Sequence, residues 1–498
     1  MEKIWNEILE NISVRNNLSQ LRQMIKEETC AKKLAPLVKK EMQKVLALLK
    51  NEDAKTRRNA ALLLGDLQCE EARDAIFEAY EKEDTLFVKG SYLTALSKLN
   101  MEDKIGQLKE ILDSLLKIEL TEDNRKHVEE EIRALRNILI QYEGICRHTF
   151  ACKDKKAAVI LLVPKNLRET VKRSITCGRA ALHPLGVLVE TEDLLALMQL
   201  RTYKEMLFPV KGENGQTPFL SSHPIEAAEQ LWNTDLMELL KSFHKEEGPF
   251  FYRVECKSAM TLEQRSSFTK KFCSHLEGLS HGMLINSTGD YEVEIRLIVN
   301  KEGLFFPAVK LYTMKQKRFA YRKDFVAASI QPFMAALIME VAESYLKENA
   351  QILDPFCGVG TMLIERDIKV PAREIYAIDT FQEAIEKGRR NANLAGEKIN
   401  FINRNFFDFK HEYKFDEIVT NMPTRGKKTQ EEMDTFYYEF FKKAEEVLAE
   451  DAVVIMYTNE ASLARKNRRK NGKYELLEEM CILPKTEYYV MIMRYKGF

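Results

Sequence analysis

The chain has 498 residues, of which 45% are hydrophobic and 31% are charged, so it is long enough for two to four domains with cores of their own. Lysine and arginine together number 76, as do aspartate and glutamate, which excludes a protein that attracts nucleic acid through net charge alone. Any nucleic-acid site must therefore be a local basic patch.

The N-terminal segment and the cysteines predict a cytoplasmic protein that has no membrane partner. The first residues lack the apolar core of a signal peptide, and no run approaches the roughly 18 apolar residues of a membrane helix. The cysteines are an odd number without C-x-x-C spacing, which fits a reducing compartment. The segment CRHTFAC offers Cys146, His148 and Cys152 without a fourth ligand nearby, so we expect buried thiols there and no metal.

Residues 1–145 are predicted to be helical, because leucine and alanine recur at spacings of three and four residues. Within them, DAKTRRNAALLLGDL is echoed by DTLFVKGSYLTALSKL. Three positions recur 32 residues apart: Ala60 as Tyr92, Leu64 as Leu96, and Leu67 as Leu99. Paired helices at this period resemble HEAT repeats, which stack into a solenoid. A non-repetitive helical bundle is the alternative, and either architecture would offer a docking surface for a protein partner.

Residues 155–315 are predicted to form an α+β region. Apolar runs indicate five strands, and an amphipathic run indicates a helix between the third and the fourth of them. The strands are Ala157–Val163, Leu185–Thr191, Phe250–Cys256, Tyr291–Asn300 and Leu304–Thr313, and the helix is Thr261–Leu279. This order suits helices packed on one face of a small ferredoxin-like sheet.

Residues 325–498 are predicted to form a doubly wound α/β domain, because strands and helices alternate after the helical segment Ser329–Leu346. Five strands with crossovers precede two strands that leave no room for a helix between them, which predicts a closing hairpin with one antiparallel edge strand. The strands are Gln351–Phe356, Glu374–Asp379, Ile399–Asn405, Phe415–Asn421, Ala452–Thr458, Tyr474–Leu483 and Glu487–Tyr495. Ligands of such sheets bind beyond the carboxyl ends of the strands, so the residues that follow each strand are the candidate site.

Glycines and acidic residues follow the first three strands of this domain. Gly358 and Gly360 lie in DPFCGVGT, where the missing side chains let the backbone approach a ligand. Asp379 ends the second strand and can accept both hydroxyl hydrogens of a ribose. Asp408, after the third strand, can accept a hydrogen bond from an adenine amino group. Their placement at successive strand ends indicates a nucleoside-bearing cofactor, and the absence of a third glycine in G-x-G-x-x-G spacing disfavours a nicotinamide.

The fourth strand is followed by NMPTRG, residues 421–426. With DPFCGVGT and the preceding RFAYRKDFVAASIQPFMAALI, this segment resembles the S-adenosylmethionine-dependent methyltransferases that make N2-methylguanine in transfer and ribosomal RNA. Those enzymes carry a THUMP RNA-binding domain ahead of a Rossmann-like class I catalytic domain. The resemblance covers roughly residues 155–498, through specific motifs from about residue 318 and through pattern alone before it, and it leaves out the helical N-terminus.

The resemblance implies which residues bind S-adenosylmethionine. It places Asp354 and the two glycines at the methionine end, Asp379 at the ribose and Asp408 at the adenine. The full implied set is Ser329, Gln331, Pro332, Asp354, Phe356, Gly358, Gly360, Thr361, Asp379, Asp408 and Asn421.

The residues implied to act on the acceptor are Asn421, Met422, Pro423 and Thr424. An exocyclic amine is a poor nucleophile because its lone pair is delocalised into the ring. The Asn421 side-chain oxygen and the Met422 carbonyl, presented by the stiff proline, can accept its two N–H bonds and aim the lone pair at a methyl group. A base in RNA must leave its stack to reach such a pocket.

Two positions of NMPTRG depart from the family form, which is Asn or Asp, then Pro-Pro or Leu-Pro, then Tyr or Phe. Met422 and Thr424 replace the usual residues, and Thr424 removes a stacking ring worth roughly 1 to 3 kcal/mol. Phe436, Tyr437 or Tyr438 is a candidate replacement for that ring, although the stretch DTFYYEFF also fits the apolar face of a helix.

Two basic stretches indicate an RNA partner. KLYTMKQKRFAYRK interleaves cations with aromatic residues at the junction of the α+β and catalytic regions, and RKNRRKNGK lies between the fifth and sixth strands of the catalytic domain. Arg425 can contact a phosphate or can be a solvated turn residue, with equal support for each. The candidate RNA-binding residues are Lys310, Lys317, Arg318, Arg322, Arg425, Arg465, Arg468 and Arg469.

The sequence therefore predicts a methyltransferase that uses S-adenosylmethionine and acts on an exocyclic amine of an RNA base, with guanine N2 in tRNA or rRNA as the first candidate. One alternative is a cofactor- and RNA-binding scaffold whose catalytic motif has decayed. Another is an enzyme that methylates an adenine N6 amine or a protein amide, since an asparagine-proline motif serves those acceptors too.

Overall fold

The computed structural model describes residues 1–115, 118, 121, 124–143, 148–152 and 155–497. The chain divides into two compact units. One comprises Met1–Thr149, Leu220–Asn233 and Glu246–Glu292, and the other comprises Phe150–Phe219, Thr234–Lys245 and Val293–Phe498.

The N-terminal part contains α1 (Glu2–Leu9), α2 (Val14–Met24), α3 (Glu28–Lys40), α4 (Met42–Ala47), α5 (Ala54–Asp66), α6 (Arg73–Glu81), α7 (Leu86–Leu96), α8 (Ile105–Leu115) and α9 (Arg125–Glu143). The middle contains β1 (Ala157–Leu162), α10 (Arg168–Ser174), β2 (Arg179–His183), β3 (Gly186–Thr191), α11 (Leu194–Gln199), β4 (Met206–Pro209), α12 (Pro224–Trp232), α13 (Leu236–Ser242), β5 (Phe250–Lys257), α14 (Leu262–Leu279), β6 (Leu284–Asn286), β7 (Val293–Val299) and β8 (Phe305–Leu311). The C-terminal part contains α15 (Pro332–Ala342), β9 (Gln351–Asp354), α16 (Thr361–Lys369), β10 (Glu374–Asp379), α17 (Gln382–Ala395), β11 (Asn400–Asn403), β12 (Phe415–Asn421), α18 (Gln430–Val447), β13 (Leu448–Thr458), α19 (Ala461–Asn471), β14 (Tyr474–Leu483) and β15 (Tyr488–Tyr495).

In the first unit, the helices pack through the positions that repeat in the sequence. The Asp53 carboxylate caps α5 by accepting a hydrogen bond from the Thr56 amide at 3.0 Å. α5 crosses α7 closely, and Gly65 is required there because a Cβ at this position would lie 2.6 Å from Ala95 Cα. The repeated positions that are fully buried are Ala60, Leu64, Tyr92 and Leu96. The predicted paired helices are therefore present. The same unit holds β5 and β6, which pair in parallel, and α14.

In the second unit, β2, β3, β1, β4, β8 and β7 are neighbours in that order, and all of these pairs are antiparallel. All five strands predicted for the α+β region are present in or near their predicted ranges. Four of them are β1, β3, β7 and β8 of this sheet, and the fifth is β5 in the first unit. The sequence analysis missed β2, β4 and β6. β2 exposes most of its side chains and so shows no apolar alternation, and β4 and β6 have only 4 and 3 residues.

The second sheet of this unit has the order β11-β10-β9-β12-β13-β15-β14. β9 to β13 run parallel, and helices alternate with them, which confirms the predicted doubly wound fold. One detail of the prediction was wrong. The antiparallel strand β15 lies between β13 and β14 instead of at the edge, because the hairpin folds back so that its second strand pairs with β13.

No described helix has both the length and the apolar composition needed to cross a membrane. No group of three metal-ligand side chains occurs among the described residues. Of the CRHTFAC residues, Cys146 lies outside the described residues, Cys152 is buried, and His148 Nδ1 lies 2.9 Å from Glu292 Oε2.

Candidate functional site

The residues predicted from the strand ends converge at one edge of the seven-stranded sheet. The strands β11, β10, β9 and β12 are neighbours and run parallel, so their carboxyl ends lie side by side. β9 ends at Asp354, β10 at Asp379 and β12 at Asn421. The strand order reverses at β9, which is where open α/β sheets form a ligand crevice.

The turn after β9 is shaped by two glycines in left-handed conformations, with φ of 53° at Gly358 and 76° at Gly360. Gly360 packs against Phe401, because a Cβ there would lie 2.9 Å from the Phe401 ring. No described atom lies within 4 Å of the place where a Gly358 Cβ would be. The turn therefore leaves open backbone at Gly358, where a ligand can approach.

Asp354 is a buried carboxyl group with an incomplete set of hydrogen bonds. It is 1% exposed, and its Oδ1 accepts a hydrogen bond from the Phe356 amide at 3.0 Å. Burial raises the pKa of Asp354 to about 7, and the neighbouring Thr420 hydroxyl and the Phe356 amide oppose the rise. Asp354 Oδ2 and the hydroxyls of Thr361 and Thr420 are buried without a well-formed hydrogen bond to the described residues. The Thr420 hydroxyl is close enough to Asp354 to lower its pKa, but buried polar atoms are normally fully paired, so the group of three still has room to bind a polar ligand.

Asp379 holds the turn after β9 against the end of β10. Its Oδ2 accepts a hydrogen bond from the Gly358 amide and its Oδ1 from the Phe381 amide, both at 2.9 Å. Each carboxylate oxygen has a second lone pair, so the group can still accept hydroxyl hydrogens. The Phe381 ring, two residues further along the chain, is 50% exposed.

Asp408 ends a short 3₁₀ turn, Phe406–Asp408, and its side chain is exposed. The preceding Phe407 ring lies 5.7 Å from the Phe436 ring, which in turn lies 5.3 Å from the Phe356 ring. These three half-buried rings come from the turn after β11, from α18 and from the turn after β9, so they lie together at the same edge of the sheet.

The three aromatic residues considered as replacements for the missing stacking ring differ in burial and in their neighbours. Tyr437 is fully buried, and its hydroxyl is bonded to that of Thr458 at 2.6 Å. Tyr438 is exposed, with Lys470 Nζ 4.4 Å from its ring centroid. Only Phe436 of the three packs against Phe356, and Lys428 Nζ lies 4.9 Å from its ring centroid.

The segment before α15 is fastened to α17. Arg390 Nε lies 2.9 Å from Asp324 Oδ2, and the Asn391 side chain donates to the Asp324 carbonyl at 2.8 Å. Lys387 donates to the Phe325 carbonyl at 3.0 Å. Lys387 is nearer the start of α17 than Asn391. The segment therefore runs toward the N-terminal end of α17, which is the end close to Asp379.

Ser329, Gln331 and Pro332 lie further along this segment. The Ser329 hydroxyl accepts a hydrogen bond from the Val326 amide at 2.9 Å, Gln331 is exposed at the start of α15, and Pro332 is its buried first residue. Their hydrogen bonds are local, and their predicted contact with a cofactor stays a prediction.

The loop at the end of β12, residues 421–426, is called the acceptor loop here, and it contains two oxygen groups that are open to a ligand. Asn421 is half-buried, and its side chain makes no hydrogen bond to the described residues. The Met422 amide donates to the Tyr457 carbonyl at 2.9 Å and its side chain is 2% exposed, whereas within the described parts of the chain nothing donates to its carbonyl. Pro423 is half-buried and Thr424 exposed. Asn421 and the Met422 carbonyl can therefore accept hydrogen bonds from a ligand amine.

Residues 320–481 match the family described as RMKL-like, methyltransferase domain. A segment of 148 residues is 30% identical to the tRNA (guanine(10)-N2)-dimethyltransferase of Methanothermobacter thermautotrophicus. This part of the chain is an S-adenosylmethionine-dependent methyltransferase domain. The resemblance drawn from the sequence is thus confirmed for this domain. Residues 42–117 match HEAT repeats, which confirms the predicted repeat and excludes the simple bundle.

Other known proteins also resemble the methyltransferase domain. A segment of 127 residues is 26% identical to the release factor glutamine methyltransferase of Flavobacterium psychrophilum. The matches cover 28% of this chain and 42% of the first relative, and 25% of this chain and 45% of the second, so the chain spans less than half the length of either relative.

Two solved structures share the fold at 17% sequence identity and a TM-score of 0.50, each over 69% of this chain: TrmN from Thermus thermophilus, of which 100% is covered, and a possible methylase from Clostridium difficile 630, of which 99% is covered.

The site of the methyltransferase domain fits its cofactor. The methionine end of S-adenosylmethionine carries an ammonium, which suits the buried Asp354 carboxyl group, and the open space at Gly358 leaves room for the ligand beside it. The remaining lone pairs of Asp379 suit the ribose hydroxyls. The structure thus brings together the acids and glycines predicted from the strand ends.

Three of the predicted RNA-binding cations precede the methyltransferase domain or lie at its start, and each has a protein partner. Lys310 Nζ lies 2.8 Å from Glu205 Oε1, and Arg322 Nη2 donates to the Ile330 carbonyl at 3.1 Å. Arg318 is 8% exposed and donates to three carbonyls, those of Leu200, Tyr203 and Lys204. Burial lowers the pKa of Arg318 to about 10. Because its guanidinium is inside the protein, we leave Arg318 out of the proposed RNA surface; Lys317 beside it is exposed.

The cations near the end of the methyltransferase domain lie on α19, not in a loop. Arg465 pairs with Glu479, with Nε 2.9 Å from Oε1, and Arg468 Nη1 donates to the Tyr474 carbonyl at 2.8 Å. Arg469 is exposed. The prediction from this basic run therefore retains Arg469, while the other two side chains are tied to β14.

Two residues at this edge were missed by the sequence analysis. Thr420 adds a buried hydroxyl next to Asp354, and Phe381 adds an exposed ring near Asp379. Phe381 could have been found as the bulky residue two positions after the end of β10. Thr420 could not, because it lies within a strand whose residues alternate in direction.

Proposed function

We propose that the protein transfers a methyl group from S-adenosylmethionine to an exocyclic amine of an RNA base, with guanine N2 in tRNA or rRNA as the first candidate. The observation that carries the proposal is the pair of open acceptors, the Asn421 side chain and the Met422 carbonyl, beside a site that fits the cofactor. The relative named tRNA (guanine(10)-N2)-dimethyltransferase supports this choice of acceptor.

The chain's own residues prepare the acceptor amine. Asn421 and the Met422 carbonyl accept its two N–H bonds, which draws the nitrogen toward tetrahedral geometry and frees its lone pair. The cofactor supplies a methyl group on a sulfonium, so a carbon–nitrogen bond forms as the carbon–sulfur bond breaks. The product ammonium is acidic and loses its proton to water, so no side chain is needed as a base before the attack.

The cofactor is proposed to be held by the residues of the strand ends. Asp354 receives its ammonium, Asp379 its ribose hydroxyls and Asp408 its adenine, with Phe381 covering the adenine. Phe356 and Thr361 complete the methionine side, and Ser329, Gln331 and Pro332 approach from the segment fastened to α17.

RNA is proposed to contact the THUMP-like region of residues 155–315 and the exposed cations Lys317 and Arg469. Each phosphate contact of this kind releases a condensed counterion, so binding should weaken with salt. The HEAT repeats are proposed to dock a protein partner through their exposed faces.

The test is transfer of tritiated methyl from S-adenosylmethionine to total RNA from a strain that lacks this gene, followed by nucleoside analysis. Label in N2-methylguanosine is expected. Asn421→Ala should abolish transfer and leave cofactor affinity unchanged, and Asn400→Ala, at the opposite end of β11 in the same sheet, is the matched control. Transfer retained by Asn421→Ala would contradict the mechanism.

A protein amide is the second candidate acceptor, because one relative is named release factor glutamine methyltransferase. The same assay with total protein separates the two acceptors. Label in protein and none in RNA would favour the amide. No label in either, with cofactor bound, would favour a decayed scaffold.

A further inference from the structure

Arg425, the residue after the proposed acceptor motif, forms a fork-like ion pair with Glu460. Arg425 Nε lies 2.9 Å from Glu460 Oε1, and Nη2 lies 2.9 Å from Oε2. The Glu460 side chain is 10% exposed and that of Arg425 is 40% exposed. Two parallel hydrogen bonds of this kind fix the orientation of both groups.

Glu460 is itself held in place between β13 and α19. Its amide donates to the Thr458 hydroxyl at 2.9 Å, and that hydroxyl is bonded to the buried Tyr437 at 2.6 Å. Arg425 therefore pairs with the carboxylate of a residue whose backbone is bonded to the core.

The acceptor loop is thus attached to the end of β13 at two points. The first is the backbone bond from the Met422 amide to the Tyr457 carbonyl, and the second is the pair between Arg425 and Glu460. Pro423 and Thr424 lie between these points and form no side-chain hydrogen bond to the described residues. The side-chain pair is at the C-terminal end of the loop, directly after Thr424.

We propose that Arg425 is a positioning residue that, through Glu460, keeps the Met422 carbonyl at a fixed spacing from the Asn421 side chain. The proposal rests on the proposed function. Met422 lacks the fixed backbone angle that a proline would give, and the ion pair restrains the loop instead. Because a displacement of about 1 Å at a reacting group can cost about 100-fold in rate, loosening the loop should slow transfer.

The proposal and a phosphate contact by Arg425 predict different results when Glu460 is neutralised. If Arg425 bound RNA, neutralising Glu460 would free the guanidinium and tighten RNA binding. If the pair positions the loop, neutralising either partner should lower kcat to the same extent, and neutralising both should lower kcat no further.

The first measurement is the kinetics of Arg425→Met, Glu460→Gln and the double variant. We expect kcat to fall about tenfold or more in all three, with the RNA KM and the cofactor affinity within about twofold of the unchanged protein. Arg57→Met and Glu83→Gln are matched controls, because that fork-like pair, with Nη2 2.7 Å from Oε1, lies in the HEAT repeats. A raised RNA KM in Arg425→Met, together with a salt slope smaller by about one, would overturn the proposal.

The second measurement does not depend on turnover. Hydrogen exchange of the peptide from Asn421 to Thr429 should be about tenfold faster in Arg425→Met and in Glu460→Gln, and unchanged in the controls. Unchanged exchange in the two variants would overturn the proposal whether or not the protein methylates RNA. Exchange that rises while the unaltered protein labels no RNA would instead contradict only the proposed function.

Discussion

Arg366 and Glu417 form an ion pair from which water is fully excluded. Arg366 Nε lies 2.8 Å from Glu417 Oε2, Nη2 lies 2.8 Å from Oε1, and both side chains are 0% exposed. The Lys347 amide also donates to Glu417 Oε1 at 2.6 Å. Arg366 lies on α16, which follows the cofactor turn, and Glu417 on β12, which ends at Asn421. The pair therefore joins the element that carries the cofactor turn to the strand that carries the acceptor loop.

Removing one partner of this pair should destabilise the methyltransferase domain strongly. Arg366→Met or Glu417→Gln is expected to lower the free energy of unfolding by about 3 to 5 kcal/mol, because an uncompensated buried charge or polar group remains. Native-state hydrogen exchange of β12 peptides measures this domain separately from the other unit.

The double replacement Arg366→Met with Glu417→Met should recover most of that loss, since apolar side chains of similar volume avoid the cost of burying charge. Arg390→Met is the matched control, because its pair with Asp324 is partly exposed and such pairs are worth about 0 to 1 kcal/mol. A double variant as unstable as either single variant would contradict this account.

Gly358→Ala should weaken cofactor binding by about tenfold or more, since a methyl group would enter the open position at the cofactor turn. Gly396→Ala is a close control: Gly396 has φ of 81°, and no described atom lies within 4 Å of its Cβ position. Both changes carry the same backbone penalty of about 1 to 2 kcal/mol. Equal cofactor affinities in the two variants, measured by calorimetry, would exclude Gly358 from the site.

Cofactor binding should depend on pH through Asp354. Because burial raises the pKa of Asp354 to about 7, the free protein carries a proton there that an ammonium ligand displaces. Affinity should rise about tenfold per pH unit as the pH approaches 7 and level off above it, with proton release measurable by calorimetry in buffers of different ionisation enthalpy. Asp354→Asn should bind weakly with no such dependence, and a pH-independent affinity in the unaltered protein would contradict the prediction.

The same shift affects the stability of the free protein. The pKa in the folded state lies above the ordinary value of about 3.9, so the folded protein binds the extra proton. The contribution of Asp354 to stability is full below about pH 4 and is lost as the pH rises to about 7.

Lys317 and Arg318 are adjacent cations that should behave differently. Lys317→Ala should reduce the slope of log affinity for RNA against log salt by about one, because Lys317 is exposed. Arg318→Ala should leave the slope unchanged and lower the melting temperature, because one buried and two partly buried carbonyls lose their donor. A reduced slope in Arg318→Ala at unchanged stability would restore Arg318 to the RNA surface.

The sequence by itself determined the methyltransferase fold and the positions of its strand-end residues. Continuous apolar runs separated by amphipathic helices specify a parallel sheet, and a parallel sheet places Asp354, Asp379 and Asn421 at one edge whatever the surface contacts are. The HEAT repeats were legible for a similar reason, since their period is a property of the chain alone.

Only the tertiary structure decided which charged and aromatic side chains are free. Arg318, Arg425 and Arg465 look alike in sequence. In the structure, each of them donates hydrogen bonds to a carbonyl or carboxylate that is distant along the chain. The tertiary structure likewise separated Phe436, which reaches the strand-end edge, from Tyr437, which is buried. Burial and pairing depend on contacts between distant segments, and local periodicity does not encode those contacts. The end of a strand is a local property, so local periodicity does encode it.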